Sequence, residues 1–353
     1  MLSHGYAPSS FLKANVIPIP KNLKLNISHS SNYRAIALSC IFGKIVDRLI
    51  LTKQAECFAT CDLQFGFKKR SSTITCSTML TETIEYYVSN DSPVYVLFID
   101  ASKAFDRVCH STLFELLERK HLCPTVMRLL HHIYSQSVMQ VRWKDTNSSS
   151  FPLLNGVKQG GVLSPVLFTI YIDGLLKRLK ESGFGCHIGL SYAGAFGYAD
   201  DIALVSPSLY GLRKMISICE SYAKDYSILF NPKKSKLLCF NPSTVMKPQV
   251  YLCEKLVEVV ESEIHLGNHI YNNIYTKNVD GTVSDFYRRS NQIISSFRMC
   301  DSFTLNDLHS TYCTSFYGVE LYNFNELYIN KIYTAWRKCT RLIFRLPNRA
   351  HNF

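Results

Sequence analysis

The chain has 353 residues, 47% of them hydrophobic and 19% charged, with a formal net charge of +12. That length holds one large domain or two to three small ones, and the composition excludes a disordered chain. The basic balance, with pI near 9.0, favours a polyanionic partner, nucleic acid ahead of anionic membrane. Thirteen cysteines form an odd set with no Cys-x-x-Cys pair, Cys57 and Cys61 being the nearest neighbours. They read as free thiols in a reducing compartment, not as a zinc site or a disulfide framework. No signal peptide is visible and no apolar run approaches the ~20 residues of a membrane span. The expectation is a soluble intracellular protein of nucleus and cytoplasm.

Residues 1 to 35 read as irregular, with a short edge strand at Val16-Ile17 between prolines and a basic loop from Lys21 to Asn32. Ser31 to Leu38 ends that loop, and a helix follows through Ile41, Ile45, Leu49 and Ile50, with Lys44 and Arg48 on its polar face. Arg34 has the planar fork that matches phosphate oxygens, although an Arg before an apolar segment is usually just solvated. Gln64-Phe-Gly-Phe-Lys-Lys-Arg-Ser-Ser-Thr73 puts three basic residues among aromatics and hydroxyls. This suits a nucleic-acid backbone, or equally a solvated charge run. Thr73 to Val88 reads as a helix.

Val94 to Ile99 is a continuous apolar run, hence a strand buried on both faces, ending abruptly at Asp100. A carboxylate at such a strand end is a usual place for a metal ligand, with a capping role as the alternative, for Asp106 especially. Two helices follow, around Leu113 to Leu122 and Val126 to Ser135, then a strand at Met139 to Trp143 and a turn at Asn147 to Ser150. Asn155 to Pro165 is a Gly-rich basic loop that is not a P-loop, since the Gly-Lys-Ser/Thr ending is absent. Ser164 is placed to cap, and Pro165 to open, a helix to Lys180. Gln159 offers donors, and Gly160 beside it allows close backbone approach to a nucleotide.

Ala193 to Ser206 reads as a tight hairpin carrying Asp200 and Asp201 at its tip. Two adjacent negative charges between buried strands are unfavourable without a cation, although Asp is also a common turn residue. A helix with the stripe Leu212, Met215, Ile216, Cys219, Tyr222, Ala223 and Tyr226 follows, as core. Asn231 to Lys236 then turns into a strand at Leu237 to Phe240, and His265 to Ile270 closes the region. Beyond Asn272 the texture is helical. Ile332 to Leu346 shows one face of Ile332, Trp336, Cys339, Ile343 and Leu346, and another of Arg337, Arg341 and Arg345.

Taken in order, these segments resemble the motif series of non-LTR (LINE-type, Jockey-like) retrotransposon reverse transcriptases. Pro18 to Lys21, Asn32 to Leu38 and Gln64 to Thr73 resemble the fingers motifs. Ile99-Asp-Ala-Ser-Lys-Ala-Phe-Asp106, Gly156-Val-Lys-Gln-Gly-Gly-Val-Leu-Ser-Pro165 and Tyr198-Ala-Asp-Asp201 resemble the first three palm motifs, with Asn231 to Lys236 and His265-Leu-Gly267 as the fourth and last. The resemblance covers nearly the whole chain. It implies an α+β right-hand polymerase with a ferredoxin-like palm sheet: fingers at 1–92, palm at 93–271 with a fingers insertion at about 107–150, and a helical thumb/connection at 272–353.

It also implies roles. Asp100, Asp200 and Asp201 would hold two Mg²⁺ ions, Mn²⁺ being equally suited to oxygen donors. Phe105 would exclude a 2′-hydroxyl, Arg34 would contact the triphosphate, and Gln159 and Gly160 would face the dNTP. Lys234, with Lys236 nearby, would be the general acid to pyrophosphate. The implied partners are an RNA template, a DNA primer and dNTPs, and the chain is expected to lack the endonuclease of full-length members. Two rival readings remain: an inactive relic that binds RNA or RNA–DNA hybrid, and a maturase-like splicing cofactor.

Overall fold

The computed structural model describes residues 1–22, 26–242, 248–273, 279–314, 316, 318–321 and 326–347. Part of the expected Lys21–Asn32 loop, and the last residues of the chain, lie outside these. The first part carries strands β1 (Lys13–Pro20) and β2 (Tyr33–Ser39), helices α1 (Ile41–Lys53) and α2 (Thr73–Ser89), and strand β3 (Val94–Ile99). Next come helices α3 (His110–Arg119) and α4 (Pro124–Gln136), strand β4 (Val138–Trp143) and helix α5 (Ser164–Glu181). Strands β5 (Ala195–Tyr198) and β6 (Asp201–Ser206), helix α6 (Leu209–Asp225) and strand β7 (Lys236–Phe240) complete the middle. A ribbon of β8 (Ser262–His265) and β9 (Asn268–Tyr271) precedes helices α7 (Val279–Ser296), α8 (Ser302–Tyr312) and α9 (Glu326–Ile343).

The central sheet has the order β7-β3-β6-β5, all antiparallel, with Glu258–Val259 added outside β7. Chain order β3-α5-β5-β6-α6-β7 with spatial order 4-1-3-2 is the ferredoxin-like arrangement expected. Every residue of β3 is buried because both faces of the sheet are covered. Tyr95, Leu97 and Ile99 join the large core with α5 and α6, whereas Val94, Val96 and Phe98 pack with Leu80 and Ile84 of α2. The α6 stripe read from the sequence is buried from Leu212 to Ala223, whereas Tyr226, just past the helix end, is half-buried. Truncating such a side chain to Ala typically costs about 2–5 kcal/mol.

The second sheet corrects the reading of the N-terminal region. β1 is eight residues long and pairs antiparallel with β2 from Ala14 to Pro20, while Lys13 to Val16 pairs parallel with β4. Val16-Ile17 is therefore not a short edge strand. Pro18 and Pro20 are tolerated because the pairing of β1 with β4 stops at Val16, leaving a neighbour on one side only. Tyr33 to Ser39 is likewise a strand and not the end of a loop. Ser164 is the first residue of α5 and no side chain caps that helix. Asp106 caps no helix either: it lies in a 3₁₀ turn, Ala104–Arg107, and Cys109 precedes α3.

The C-terminal helices share a small core of Phe286, Cys313, Ala335 and Cys339. Trp336 and Leu346, expected on the buried face of the last helix, are solvent-exposed, and Arg345 lies beyond its end. Among the described residues no helix is long and apolar enough to cross a membrane.

Candidate active site

The sheet register builds the site. Ile99 of β3 pairs with Ile202 of β6, so the next facing positions are Asp100 and Asp201. On the other side Lys236 pairs with Phe98, which carries Lys234 up to Asp100, and Lys234 Nζ stands 3.8 Å from Asp100 Oδ1. Lys236 points away into an ion pair with Glu258. The backbone beyond β3 is tied down as well: Asp100 N–H donates to Ser235 Oγ at 3.2 Å, and Asn231 N–H donates to the Asp100 carbonyl at 2.8 Å.

The acidic tip is a two-residue loop, Ala199-Asp200, between the paired Tyr198 and Asp201. Asp201 is pushed up to about 6, first by burial, then by the charges of Asp200 and Asp100. Its surface is open to solvent, so burial acts through the cleft walls around it and water still reaches it. Asp200 is raised by burial and by Asp100, against the pull of its own backbone N–H and of Arg34 on β2. Arg34 thus reaches across from the second sheet toward the acidic tip.

Among the described residues no group of three or more His, Cys, Asp or Glu side chains is gathered closely enough to hold a metal ion as it stands. The donors nevertheless suit a divalent cation. They are all carboxylate oxygens, the neighbouring charges raise the proton affinity of Asp200 and Asp201, and Asp100 Oδ2 is buried with no hydrogen-bond partner. A cation would supply what each of these groups lacks.

Phe105 stacks on Phe168 of α5, with ring centroids 4.7 Å apart and planes at 18°. The Gly-rich loop folds over it: Val157 N–H donates to the Phe105 carbonyl and Gly156 N–H to the Val108 carbonyl, both at 2.8 Å. Gln159 Nε2 donates to Asp106 Oδ1 at 2.9 Å, while its carbonyl accepts from Ala37 N–H of β2. Its amide donors are therefore partly engaged within the protein. Gly160, at φ +101°, lies so close to Ala37 that a methyl there would meet the Ala37 carbonyl at 3.0 Å.

Two features escaped the sequence reading. Gln64, fully buried, accepts from the Ala199 and Gly66 N–H groups at the acidic tip. A cleft of about 160 Å³ also opens beside Asp100 and Asp201, lined by Lys234, Glu263 and His265. His265 packs against Phe98, and both its ring nitrogens lack partners. Burial holds it down at about 4, hence neutral. Gln64 and His265 each open a motif segment read from the sequence, but their place beside the acidic tip is set by what another segment brings to them.

Residues 19–280 match the family model described as reverse transcriptase (RNA-dependent DNA polymerase). The RNA-directed DNA polymerase from mobile element jockey of Drosophila melanogaster is 27% identical over 278 residues, 76% of this chain and 30% of that protein. The probable RNA-directed DNA polymerase from transposon BS of the same species is 28% identical over 251 residues, 68% of this chain and 27% of that one. The Pol polyprotein of the R2 element of Nasonia vitripennis is 25% identical over 243 residues, 69% and 23% of the two chains. The chain thus spans between 23% and 30% of the length of these relatives. Among solved structures, apo telomerase from Candida tropicalis aligns with a TM-score of 0.53 at 12% identity, over 96% of this chain and 62% of that one. A form truncated from its C-terminal domain gives 0.52 at 14% identity, over 75% and 56%. At such identities the likeness concerns the fold, that of a right-hand polymerase.

Proposed function

Because this chain belongs to the reverse transcriptase family, on the non-LTR (LINE-type) side of it, we propose that it extends a DNA primer 3′ end with dNTPs on an RNA template. The observation that carries this is the register that sets Asp100 opposite Asp201, with Asp200 adjacent and Lys234 alongside. Asp100, Asp200 and Asp201 would hold two divalent ions, Mg²⁺ or Mn²⁺. Those ions, when bound, supply Lewis acidity at the primer hydroxyl and neutralise triphosphate charge.

The chain's own residues do the rest. Arg34 faces the acidic tip and binds triphosphate oxygens, its fixed charge balancing carboxylates that would otherwise repel the nucleotide. Phe105, braced by Phe168, closes the space a 2′-hydroxyl would need. Gln159 and Gly160 line the nucleotide from the loop above, with Asp106 orienting the Gln159 amide. Lys234 carries the proton that leaves with pyrophosphate; its ion pair with Asp100 keeps it near the reacting phosphate. On this reading residues 1–92 are fingers, 93–271 the palm with a fingers excursion at about 107–150, and 272–353 the thumb/connection. The place of work is nucleus or cytoplasm.

The test is extension of a DNA primer on a defined RNA template, with and without Mg²⁺. The Asp200→Ala/Asp201→Ala double variant is the control. Metal-dependent extension by the unaltered chain alone supports the proposal. Salt-sensitive hybrid binding with no extension would instead make the protein a gripping module without turnover.

A further inference from the structure

The acidic tip has a backbone conformation that its own residues do not favour. Ala199 sits at φ +56°, in the left-handed region where a Cβ crowds the following carbonyl. Two-residue hairpin loops with a positive φ at the first central residue alone favour glycine there. Ala-Asp offers no such relief at its first position, so the turn needs a hold from outside. That hold comes from a segment 135 residues earlier in the chain. Leu63 to Phe65 runs beside the free edge of β5: Gly197 N–H donates to the Leu63 carbonyl and Phe65 N–H to the Gly197 carbonyl, both at 2.8 Å. From this added strand the Gln64 side chain reaches one step further, to the turn itself. Its Oε1 accepts from Ala199 N–H at 3.0 Å and from Gly66 N–H at 2.9 Å.

We propose that Gln64 is a positioning residue for the acidic pair: its buried carboxamide oxygen clamps the Ala199 turn and so fixes where Asp200 and Asp201 point. The catalytic consequence rests on the polymerase reading above; the clamp itself does not. The choice of residue follows from the surroundings. Gln64 Nε2 has no partner despite full burial, a cost that an amide carries only if its oxygen is needed. A leucine would remove that cost and the acceptor with it. A glutamate would keep the acceptor but add a negative charge beside two carboxylates already crowded. The Gln-x-Gly spacing is equally constrained, since a methyl on Gly66 would lie 2.6 Å from Ala199 N.

The experiment uses the full chain as unaltered protein, Gln64→Leu, Gln64→Glu and the double variant Gln64→Leu/Ala199→Gly. It reads amide hydrogen exchange at Ala199 and steady-state primer extension. Gln64→Leu is expected to speed exchange at Ala199 about tenfold or more. It should lower kcat about a hundredfold with little change in KM for dNTP. Gln64→Glu should keep Ala199 protected. Ala199→Gly should restore part of the lost kcat in the Gln64→Leu background, because glycine adopts the positive φ without cost, and mere loss of packing would not be rescued there. Should Gln64→Leu fail to fold, Gly66→Ala, which forces the loop off the turn, is read in the same way. Unchanged protection at Ala199 in Gln64→Leu overturns the clamp, as does lost kcat with Ala199 still protected. If the unaltered protein extends no primer, the polymerase reading fails, and the exchange rates still decide whether Gln64 holds the turn.

Discussion

Lys158 is only 8% exposed, and the charge that faces it is Asp47 on α1, across a small cavity of about 40 Å³ shared with Tyr134 and Ser164. Burial pushes Asp47 from 3.8 up to about 6, against the pull of the Leu163 and Val162 backbone N–H groups and of Lys158. A carboxyl raised in this way keeps its proton longer in the native state than in the unfolded chain. It therefore weakens the fold progressively as pH climbs from about 4 through 6, and by a constant amount above that. Burial lowers Lys158, with Asp47 partly restoring it. Lys158→Met thus leaves a buried carboxylate with no counter-charge, and the expected loss is about 3 kcal/mol at pH 8. The loss should shrink toward pH 5, where Asp47 is protonated. Urea melts at the two pH values check this, and equal losses at both would refute it. A second prediction concerns Phe105, held flat against Phe168. Phe105→Val empties the space under the sugar, so the preference for dNTP over rNTP in kcat/KM should fall about tenfold or more. Competitive incorporation of the two nucleotides measures it.

Helix α1 shows what a sequence pattern conceals at the scale of an element. Of the apolar positions read from the sequence, Ile50 is buried, but Ile41, Ile45 and Leu49, with Phe42, are between 42% and 70% exposed. The face turned inward is instead Gly43, Val46, Asp47 and Ile50, which has the same helical spacing but includes a glycine and a charge. Asp47 is accommodated there by the Leu163 and Val162 backbone N–H groups and by the charge of Lys158, all more than a hundred residues later. Ile50→Ala should therefore cost about 3 kcal/mol, whereas Ile45→Glu should stay within about 0.5 kcal/mol of the unaltered protein. Thermal or urea unfolding of the two variants checks the ranking, and a reversed order would mean that α1 presents its other face. The same physics decides what else was legible. β3 and β6 were readable because burial on both faces demands unbroken apolar runs, and α6 because its whole stripe is apolar. β1 was not, because its prolines suggested an edge, and only β4 from far along the chain makes its first half internal. The three carboxylates could be named from their motifs, but the facing of Asp100 and Asp201 is a property of register. The Gln64 clamp is a property of two distant loops meeting.

For the molecule as a whole, the net charge of +12 coexists with an acidic cleft, so the proposed function would divide gripping and chemistry between different surfaces. Arg337 and Arg341 lie one turn apart on α9, Arg337 stacked over Tyr333 at 4.3 Å. If this helix tracks a phosphate backbone, each contact releases counterions, and log Kd varies with log salt in proportion to the number of contacts. Arg337→Ala/Arg341→Ala should then reduce the magnitude of that slope for an RNA–DNA hybrid by about 1–2. Fluorescence anisotropy between low and moderate salt measures it. Asp200→Ala/Asp201→Ala removes negative charge from the cleft and should leave the slope unchanged while abolishing extension. The two double variants thus separate the surfaces: one loses grip in a salt-dependent way and keeps turnover on saturating hybrid, the other keeps grip and loses turnover. An unaltered slope in the arginine variant would assign α9 to a merely solvated face, and the basic loop Lys68-Lys-Arg70 beside the acidic hairpin would become the next surface to neutralise.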